Sequence, residues 1–205
     1  MNVPPAFLDA NVLYSRTICD WLFLLADEAR GRMPPLVSSE DCLTEALYRF
    51  RRNNPTVDGD RIARKRAMLT AALDDVIESY SGSTPFPGSD EHDTHVHAAV
   101  LACNAGYLVT DDAGFGRIEP DLLPYEVHTS DSFLLLIEED HPQMVDRVII
   151  RMVGYRNDRG ERSNLVESLT ATACPRFAAV IAAHLRHATF GPSGLRLGEA
   201  YRPEE

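Results

Sequence analysis

Carboxylates follow two short apolar segments that are far apart in this chain. Asp9 comes directly after residues 7–8, and Asp111 and Asp112 come after residues 107–110. In an open α/β sheet, ligands bind outside the carboxyl ends of the strands. If both segments are strands of one parallel sheet, these acids lie at the same edge and mark a candidate active site. A role for Asp9 as the N-cap of the following helix is the structural alternative.

A second group of acids falls on predicted helices. Asp93 lies in the first turn of a predicted helix, in line with a partly core-facing stripe, where a carboxylate is unusual unless something pairs with it. Glu45 lies one turn before Arg49, which also fits an ordinary surface ion pair worth about 0.3 kcal/mol. Carboxylates that share a pocket repel one another unless their pKa values rise or a cation neutralises them. Oxygen ligands suit Mg²⁺ or Mn²⁺, which can support phosphodiester hydrolysis.

Hydrophobic periodicity and turn residues predict alternating strands and helices. Because parallel neighbouring strands need helical crossovers, this order predicts an α/β fold, three-layer α/β/α, with a mainly parallel central sheet and extra C-terminal helices. Strands are predicted before Asp9 and at 34–37, 107–110 and 125–129, and helices at 18–31, 40–53, 57–79, 90–105, from 130, and at 144–153, 165–169 and 175–186.

Length and composition indicate one main domain with an appendage. The 205 residues are enough to bury a proper core. We expect an α/β domain over residues 1–140, a helical extension over 141–190 packed on it, and a flexible tail over 191–205 that is rich in proline and glycine. The four cysteines lack paired-thiol spacing and fit small buried side chains. Neither a signal sequence nor a long apolar run is evident, so we expect a cytoplasmic protein without membrane contact.

The charge distribution is uneven. The formal net charge of -11 argues against a nucleic-acid partner, because phosphates are neutralised by lysine and arginine. Basic residues nevertheless concentrate in residues 49–66, where the only acids are Asp58 and Asp60. This window is either a basic face for RNA or an ordinary solvated helix surface. The candidate RNA-binding residues are Arg49, Arg52, Arg61, Arg64 and Lys65.

Four segments together resemble PIN-domain ribonucleases, and among these the VapC-type toxins of type II toxin–antitoxin pairs. They are FLDANVLYS, SSEDCLTEALYRF, SDEHDTHVHAAVLACNAGYLVTDDAGF and YEVHTSDSFLL, in this order. The resemblance covers about residues 5 to 140, and the later helices resemble an extension found in one subgroup. Ser89 departs from the pattern, because many relatives of this subgroup have proline before the first acid of the fourth helix.

The resemblance implies a Mg²⁺- or Mn²⁺-dependent endoribonuclease that cleaves single-stranded RNA. Its catalytic acids fall here on Asp9, Glu45, Asp93 and Asp112. Of these, Asp9, Asp93 and Asp112 would hold the metal, and Glu45 would orient or activate the attacking water. Asn11 and Thr110 match supporting polar positions, and Asp90 and Asp111 are additional acids. The spacing to Phe115 favours Asp112 over Asp111 as the residue that faces the metal.

The same resemblance implies partners. The substrate would be single-stranded or structured RNA, and a cognate antitoxin would block the acidic pocket by inserting a basic side chain. A homodimer is a further expectation. The rival hypothesis is a catalytically silent PIN-like RNA-binding or scaffold protein.

Other chemistries fit the sequence less well. A haloacid-dehalogenase-type phosphotransferase needs a second aspartate at the position of Asn11, and a receiver domain needs a lysine at a strand end, whereas Lys65 lies in a predicted helix. The histidines at 92, 95 and 97 suggest zinc, but no cysteine pair or fourth ligand accompanies them. We therefore interpret them as solvated or supporting residues, with His97 able to contact Asp93.

Overall fold

A computed structural model describes residues 3–158, 164–186, 188–191 and 194–197. The fold is α/β, with helices flanking a central five-stranded sheet in a three-layer α/β/α arrangement. Every strand pair of this sheet is parallel, which confirms the predicted fold class. Its strands are β1 (Ala6–Leu8), β2 (Leu36–Ser39), β3 (Asp75–Ile77), β4 (Tyr107–Val109) and β5 (Glu126–His128).

The strand order places a switch point at the middle of the sheet. The order is β3-β2-β1-β4-β5, so β2 and β3 lie on one side of β1, and β4 and β5 lie on the other side. Leu8 is paired with Val109, and Val109 is paired with His128, which brings the carboxyl ends of β1, β4 and β5 level. The crevice between β1 and β4 is therefore the expected ligand-binding position in a sheet of this kind.

Within the described ranges, nine α-helices of 5 to 17 residues connect and cover these strands. They are α1 (Ala10–Tyr14), α2 (Arg16–Ala29), α3 (Glu40–Asn53), α4 (Gly59–Ala72), α5 (Thr94–Ala102), α6 (Ser130–Asp140), α7 (Pro142–Asp158), α8 (Leu165–Ala171) and α9 (Pro175–Arg186).

Helix α3 has the end signals that its sequence predicts. The Ser39 side chain accepts a hydrogen bond from the backbone N–H of Cys42, so Ser39 is the N-cap. Glu40 and Asp41 occupy the first turn and basic residues the last, each at the end that the helix dipole favours. The helix consequently begins directly at the carboxyl end of β2 and carries Glu45 in its second turn.

The predicted helix over 57–79 is wrong in its second half. Helix α4 ends at Ala72, and residues 75–77 form β3, the edge strand beside β2. The apolar side chains of Val76 and Ile77 fit a helical spacing as well as a short strand, because a three-residue strand offers no periodicity. Pairing with β2 decides the conformation here.

Two other helical segments differ from prediction. The short helix α1, which was not predicted, follows Asp9 at once and precedes α2, with Ser15 as the N-cap between them. The predicted helix over 90–105 begins as a 3₁₀ turn over Glu91–Asp93 and continues as α5. Asp93 is therefore the residue at which the two helical geometries meet.

The C-terminal helices share a core with the sheet. Trp21 of α2 packs edge-on against Phe177 of α9, with ring centroids 5.1 Å apart, and both side chains are fully buried. Val145 and Ile149 of α7 belong to the same apolar cluster as Phe7 of β1. The extension over 141–190 therefore contributes to the main core.

Part of the predicted flexible tail is structured. Strands β6 (Ala188–Gly191) and β7 (Gly194–Leu197) form an antiparallel pair, which the sequence analysis did not predict. Residues 192–193 and 198–205 of that predicted tail lie outside the described residues.

Two expectations from composition can be compared with the fold. The four cysteines are free thiols, of which Cys19, Cys42 and Cys174 are buried and Cys103 is half-buried. In the part of the chain that the structure describes, no helix is long and apolar enough to cross a membrane.

Candidate active site

Asp9 lies at the switch point, directly after β1. Its side chain is 7% exposed, and its backbone N–H donates to the carbonyl oxygen of Val109, which ties the ends of β1 and β4 together. Asp9 Oδ1 accepts a hydrogen bond of 2.6 Å from the N–H of Ala10. Asp9 is thus also the N-cap of α1, so the capping role and the strand-end position both hold.

Two polar side chains hold the other oxygen of Asp9. Asn11 Nδ2 donates to Asp9 Oδ2 at 2.6 Å, and Thr110 Oγ1 donates to the same oxygen at 2.7 Å. Asn11 Oδ1 in turn accepts from the N–H of Asp111, and Thr110 Oγ1 accepts from the N–H of Asp112. Asn11 and Thr110 therefore fix the Asp9 carboxylate and link it to the loop after β4.

Asp93 and Asp112 come together beside Gly114. A Cβ atom built on Gly114 would lie 2.9 Å from both Asp93 Oδ2 and Asp112 Oδ1, so both carboxylates approach the same point. Asp112 is held there by the N–H of Gly114, which donates to its Oδ1 at 2.6 Å. Asp93 makes no side-chain capping bond to α5, which leaves its carboxylate available to the site. We call Asp9, Asp93 and Asp112 the acid cluster.

Asp111 and Asp112 have different surroundings. Asp111 accepts hydrogen bonds from both the N–H and the hydroxyl of Ser130, at 2.8 and 2.7 Å, at the first residue of α6. Asp112 instead faces Asp93. The structure therefore places Asp112 in the acid cluster, as the spacing to Phe115 predicts, and gives Asp111 a structural role at a helix start.

Burial and neighbouring carboxylates raise the pKa values of Asp9 and Asp93. Burial raises the pKa of Asp9, and the nearby Glu45 carboxylate adds to this, whereas Thr110 and the Ala10 N–H act in the opposite direction. Burial, followed by the carboxylates of Asp112, Asp90 and Asp9, raises the pKa of Asp93 to about 6. Among the described residues, no lysine or arginine pairs with the acid cluster. Its negative charge is therefore not balanced by a lysine or arginine from the described part of the chain.

Glu45 fits both roles considered for it, a surface ion pair with Arg49 and a carboxylate of the active site. Its side chain is 46% exposed, and Arg49 lies 4.0 Å from it one turn later, as expected for a surface pair. Its charge also raises the pKa of Asp9, so the same carboxylate lies near the acid cluster. At 4.0 Å between exposed groups, the ion pair contributes little stability and leaves the Glu45 oxygens accessible.

The remaining predicted supporting residues surround Asp93. Asp90 accepts a hydrogen bond from the N–H of His92 and adds to the charge around Asp93. His97 is buried and bonded through Nδ1 to Tyr125 Oη at 2.7 Å, so the suggested contact with Asp93 is not formed. Burial lowers the pKa of His97 and keeps its ring neutral.

Two further residues lie near the acid cluster. His95, which the sequence predicts to be solvated or supporting, donates through Nδ1 to the carbonyl oxygen of His92 at 2.6 Å, and its charge lowers the pKa values of Asp9 and Asp93. The buried thiol of Cys42 lies 3.9 Å from Asp9 Oδ1, and burial raises its pKa to about 12, so it stays protonated. The sequence predicts Cys42 only as a small buried side chain, because its contact with Asp9 depends on how α3 packs at the sheet edge.

The acid cluster fits a divalent cation only in an open arrangement. Within the described ranges, no three histidine, cysteine, aspartate or glutamate side chains are close enough to form a complete metal-holding group. Mg²⁺ commonly binds through one or two carboxylates and fills its other positions with water and substrate phosphate. Asp93 and Asp112, which flank one point, supply such a pair of hard oxygen ligands. The donor set is therefore compatible with Mg²⁺ or Mn²⁺.

The predicted basic residues occupy α3 and α4. The Arg49 guanidinium lies 5.5 Å from the ring centre of Tyr14, and the Lys65 ammonium lies 5.3 Å from that of Phe50. Arg52, Arg61 and Arg64 are exposed. By contrast, Arg66 is paired with Glu40 at 2.6 Å. The basic window thus forms one surface, which begins next to α1.

Comparisons of the chain with protein-family models, curated proteins and solved structures gave no match. The interpretation of the site therefore rests on its geometry and chemistry.

Proposed function

We propose that this chain is a divalent-metal-dependent endoribonuclease of the PIN type that hydrolyses phosphodiester bonds of single-stranded RNA. The observation that carries the proposal is the approach of Asp93 and Asp112 to one point, with Asp9 at the switch point of the parallel sheet near enough to raise the pKa of Asp93. Carboxylates gathered without a paired lysine or arginine among the described residues suit a site that a divalent ion completes.

Asp93 and Asp112 would hold the cation, with Asp9 as the third acid. When bound, the ion would lower the pKa of a coordinated water and neutralise charge on the scissile phosphate. Asn11 and Thr110 keep the Asp9 carboxylate in one orientation, because each donates to Oδ2. Gly114 leaves the space between Asp93 and Asp112 free, which any larger residue would obstruct.

Glu45 is suited to act on the attacking water. Its exposed carboxylate lies close enough to affect Asp9 and is only loosely paired with Arg49. In hydrolysis the water oxygen forms a bond to phosphorus, the bond from phosphorus to the leaving ribose oxygen breaks, and Glu45 accepts the proton of the water. Solvent then protonates the leaving oxygen.

The proposal is tested by incubating purified protein with labelled single-stranded RNA in Mg²⁺, Mn²⁺ or EDTA. We expect cleavage with either metal and none in EDTA. Asp9→Asn keeps the size of the side chain and should reduce the rate by more than about 100-fold while the far-UV circular dichroism spectrum stays unchanged. Asp121→Asn, an exposed acid away from the cluster, is the matched control. Wild-type activity in Asp9→Asn would overturn the assignment.

A further part of the proposal is that the chain is the toxin of a toxin–antitoxin pair, with an antitoxin that covers the acid cluster. Its support is the sequence resemblance together with the gathered carboxylates of the acid cluster, which would attract a basic side chain. Induced expression of the wild type should arrest growth, Asp9→Asn should not, and co-expression of the adjacent gene should restore growth. Growth arrest by Asp9→Asn equal to that of the wild type would contradict this.

A catalytically silent RNA-binding or scaffold protein is the second candidate. It is favoured by the four donors that already surround the Asp9 oxygens, namely the Ala10 N–H, Asn11, Thr110 and the Cys42 thiol. Isothermal calorimetry with Mn²⁺ separates the two candidates. Binding that disappears in Asp112→Asn supports the nuclease, and absence of binding supports the silent protein.

A further inference from the structure

A groove with a cavity volume of about 900 Å³ lies beside α1. It is bordered by the start of α2, the end of α3, the outer side of α4, and residues of α7 and α8. The C-terminal helices therefore complete a surface that begins in the α/β part of the chain. Its basic side chains are Arg16, Arg61, Arg64 and Lys65.

Positive charge predominates in this groove. Arg16 is paired with Asp20 at 3.6 Å, and Asp20 is the only acid on the groove wall among the described residues. Arg61, Arg64 and Lys65 form no ion pair within the described part of the chain. The groove thus carries a local excess of positive charge on a protein whose net charge is strongly negative.

The basic side chains form a stripe along α4. Counted from Arg61, the next side chains of this stripe follow at three, four and seven residues, namely Arg64, Lys65 and Met68. This spacing places them on one face over about 10 Å of helix. Only Leu69 of this helix is buried. Arg61 lies in the first turn of the helix, where a positive side chain is unfavourable for helix stability.

Aromatic side chains alternate with these cations. Tyr14 and Phe50 line the groove beneath Arg49 and Lys65, and Tyr155 of α7 contributes a ring that is 53% exposed. Cationic side chains that follow a backbone, together with aromatic rings on which bases stack, characterise surfaces for single-stranded nucleic acid. An acidic protein segment would use the charges but not the rings.

Helix α1 connects the groove with the acid cluster. It carries Asn11, which donates to Asp9, and three residues later Tyr14, which lines the groove. Three residues of helix span about 4.5 Å along the axis. The groove therefore begins about one helical turn from a residue that contacts the acids.

We propose that this groove binds single-stranded RNA on one side of the cleavage site, with Arg61, Arg64 and Lys65 contacting phosphates and Tyr155 stacking on a base. The inference rests on the proposed nuclease function, and adds a binding surface to which the C-terminal helices contribute. Binding here does not require the metal.

The test measures fluorescence anisotropy of a labelled RNA of about 12 nucleotides in EDTA, where binding is separated from cleavage. The double variant Arg61→Glu/Arg64→Glu should weaken binding by about tenfold or more and reduce the salt slope by roughly 0.7 for each lost phosphate contact. Tyr155→Ala should weaken binding several-fold without changing that slope. Arg30→Glu/Arg176→Glu, the same charge change at exposed positions outside the groove, should bind as the wild type does.

Folding and function have separate controls. Far-UV circular dichroism checks that each variant is folded, and Arg61→Lys/Arg64→Lys, which keeps the charge, should recover most of the affinity.

If the wild type cleaves RNA but charge reversal alters neither affinity nor cleavage, the groove proposal is wrong and the nuclease proposal stands. If charge reversal abolishes binding but no metal supports cleavage, the groove proposal stands and the nuclease proposal fails. Tighter binding of labelled oligoglutamate than of RNA would overturn the groove proposal in favour of a protein-docking surface.

Discussion

At the scale of single residues, neighbouring carboxylates repel the ionised form of Asp93. Asp93 lies near Asp112, Asp90 and Asp9, and burial together with these charges raises its pKa to about 6. An acid whose pKa is higher in the folded than in the unfolded protein contributes stability below the unfolded pKa. That contribution is lost as pH rises through the folded value. At about pH 8 the ionised Asp93 is therefore unfavourable until a cation is bound.

The first prediction concerns Asp93→Asn. Without metal at about pH 8, the neutral amide removes the repulsion, so the variant should have a higher Tm than the wild type. Addition of Mn²⁺ should raise the Tm of the wild type more than that of the variant, because binding to the folded state stabilises it. Differential scanning fluorimetry measures both effects. Asp121→Asn is the control, and an equal response to Mn²⁺ in all three proteins would contradict the prediction.

At the scale of helices, three C-terminal elements meet at one histidine. His184 of α9 is 9% exposed and lies between Asp146 of α7, 2.6 Å from Nδ1, and Glu138 of α6, 3.2 Å from Nε2. The hydrogen bond with Glu138 raises the pKa of His184, and the contact with Asp146 adds to this, while burial opposes both. In the protonated form both ring nitrogens donate, which couples the three helices.

The second prediction is a pH-dependent effect of His184→Gln. A histidine with a raised pKa contributes stability that is fully present below the unfolded pKa and lost as pH rises through the folded value. The Tm difference between the wild type and His184→Gln should therefore be largest near pH 6 and should shrink by about pH 9. Because hydrogen bonds to charged groups are worth about 1.5–3 kcal/mol each, the loss near pH 6 should be several degrees.

Thermal unfolding followed by circular dichroism at several pH values measures this effect. His92→Gln, an exposed histidine, should leave the Tm nearly unchanged across the range. A Tm difference for His184→Gln that grows with pH would contradict the proposed coupling.

At the scale of the whole molecule, one apolar core joins the sheet and the C-terminal helices. Phe177 of α9 is fully buried against Trp21 of α2, and Met144 and Val148 of α7 lie in the same cluster. Cavities in a close-packed core are costly because the surroundings relax only in part. The extension should consequently unfold together with the sheet.

The third prediction is that Phe177→Ala lowers stability by about 3–5 kcal/mol, which corresponds to a Tm decrease of roughly 10 °C. The unfolding should remain a single transition, monitored by circular dichroism and tryptophan fluorescence together, since Trp21 is the only tryptophan. Leu122→Ala, at a side chain that is 60% exposed, should change stability little. Two separate transitions, or a small loss in Phe177→Ala, would show that the helices do not belong to the main core.

The sequence alone was sufficient for the fold class and for the position of Asp9 and Asp112 at strand ends. Apolar segments that end in acids and alternate with amphipathic helices leave few arrangements other than a parallel sheet, whose carboxyl edge then collects the acids. These are local patterns, which one chain displays without its contacts. The choice of Asp93, and of Asp112 over Asp111, as catalytic acids rested on the family resemblance and stays a prediction.

Only the tertiary structure decided the third strand, the neighbours of the acid cluster and the groove, because these features depend on contacts between distant segments. Strand β3 exists through pairing with β2, since Asp75–Ile77 alone shows no strand periodicity. The approach of His95 and Cys42 to the acid cluster follows from the packing of α5 and α3. The groove requires Tyr155 of α7 beside Arg61 of α4, which no local spacing specifies.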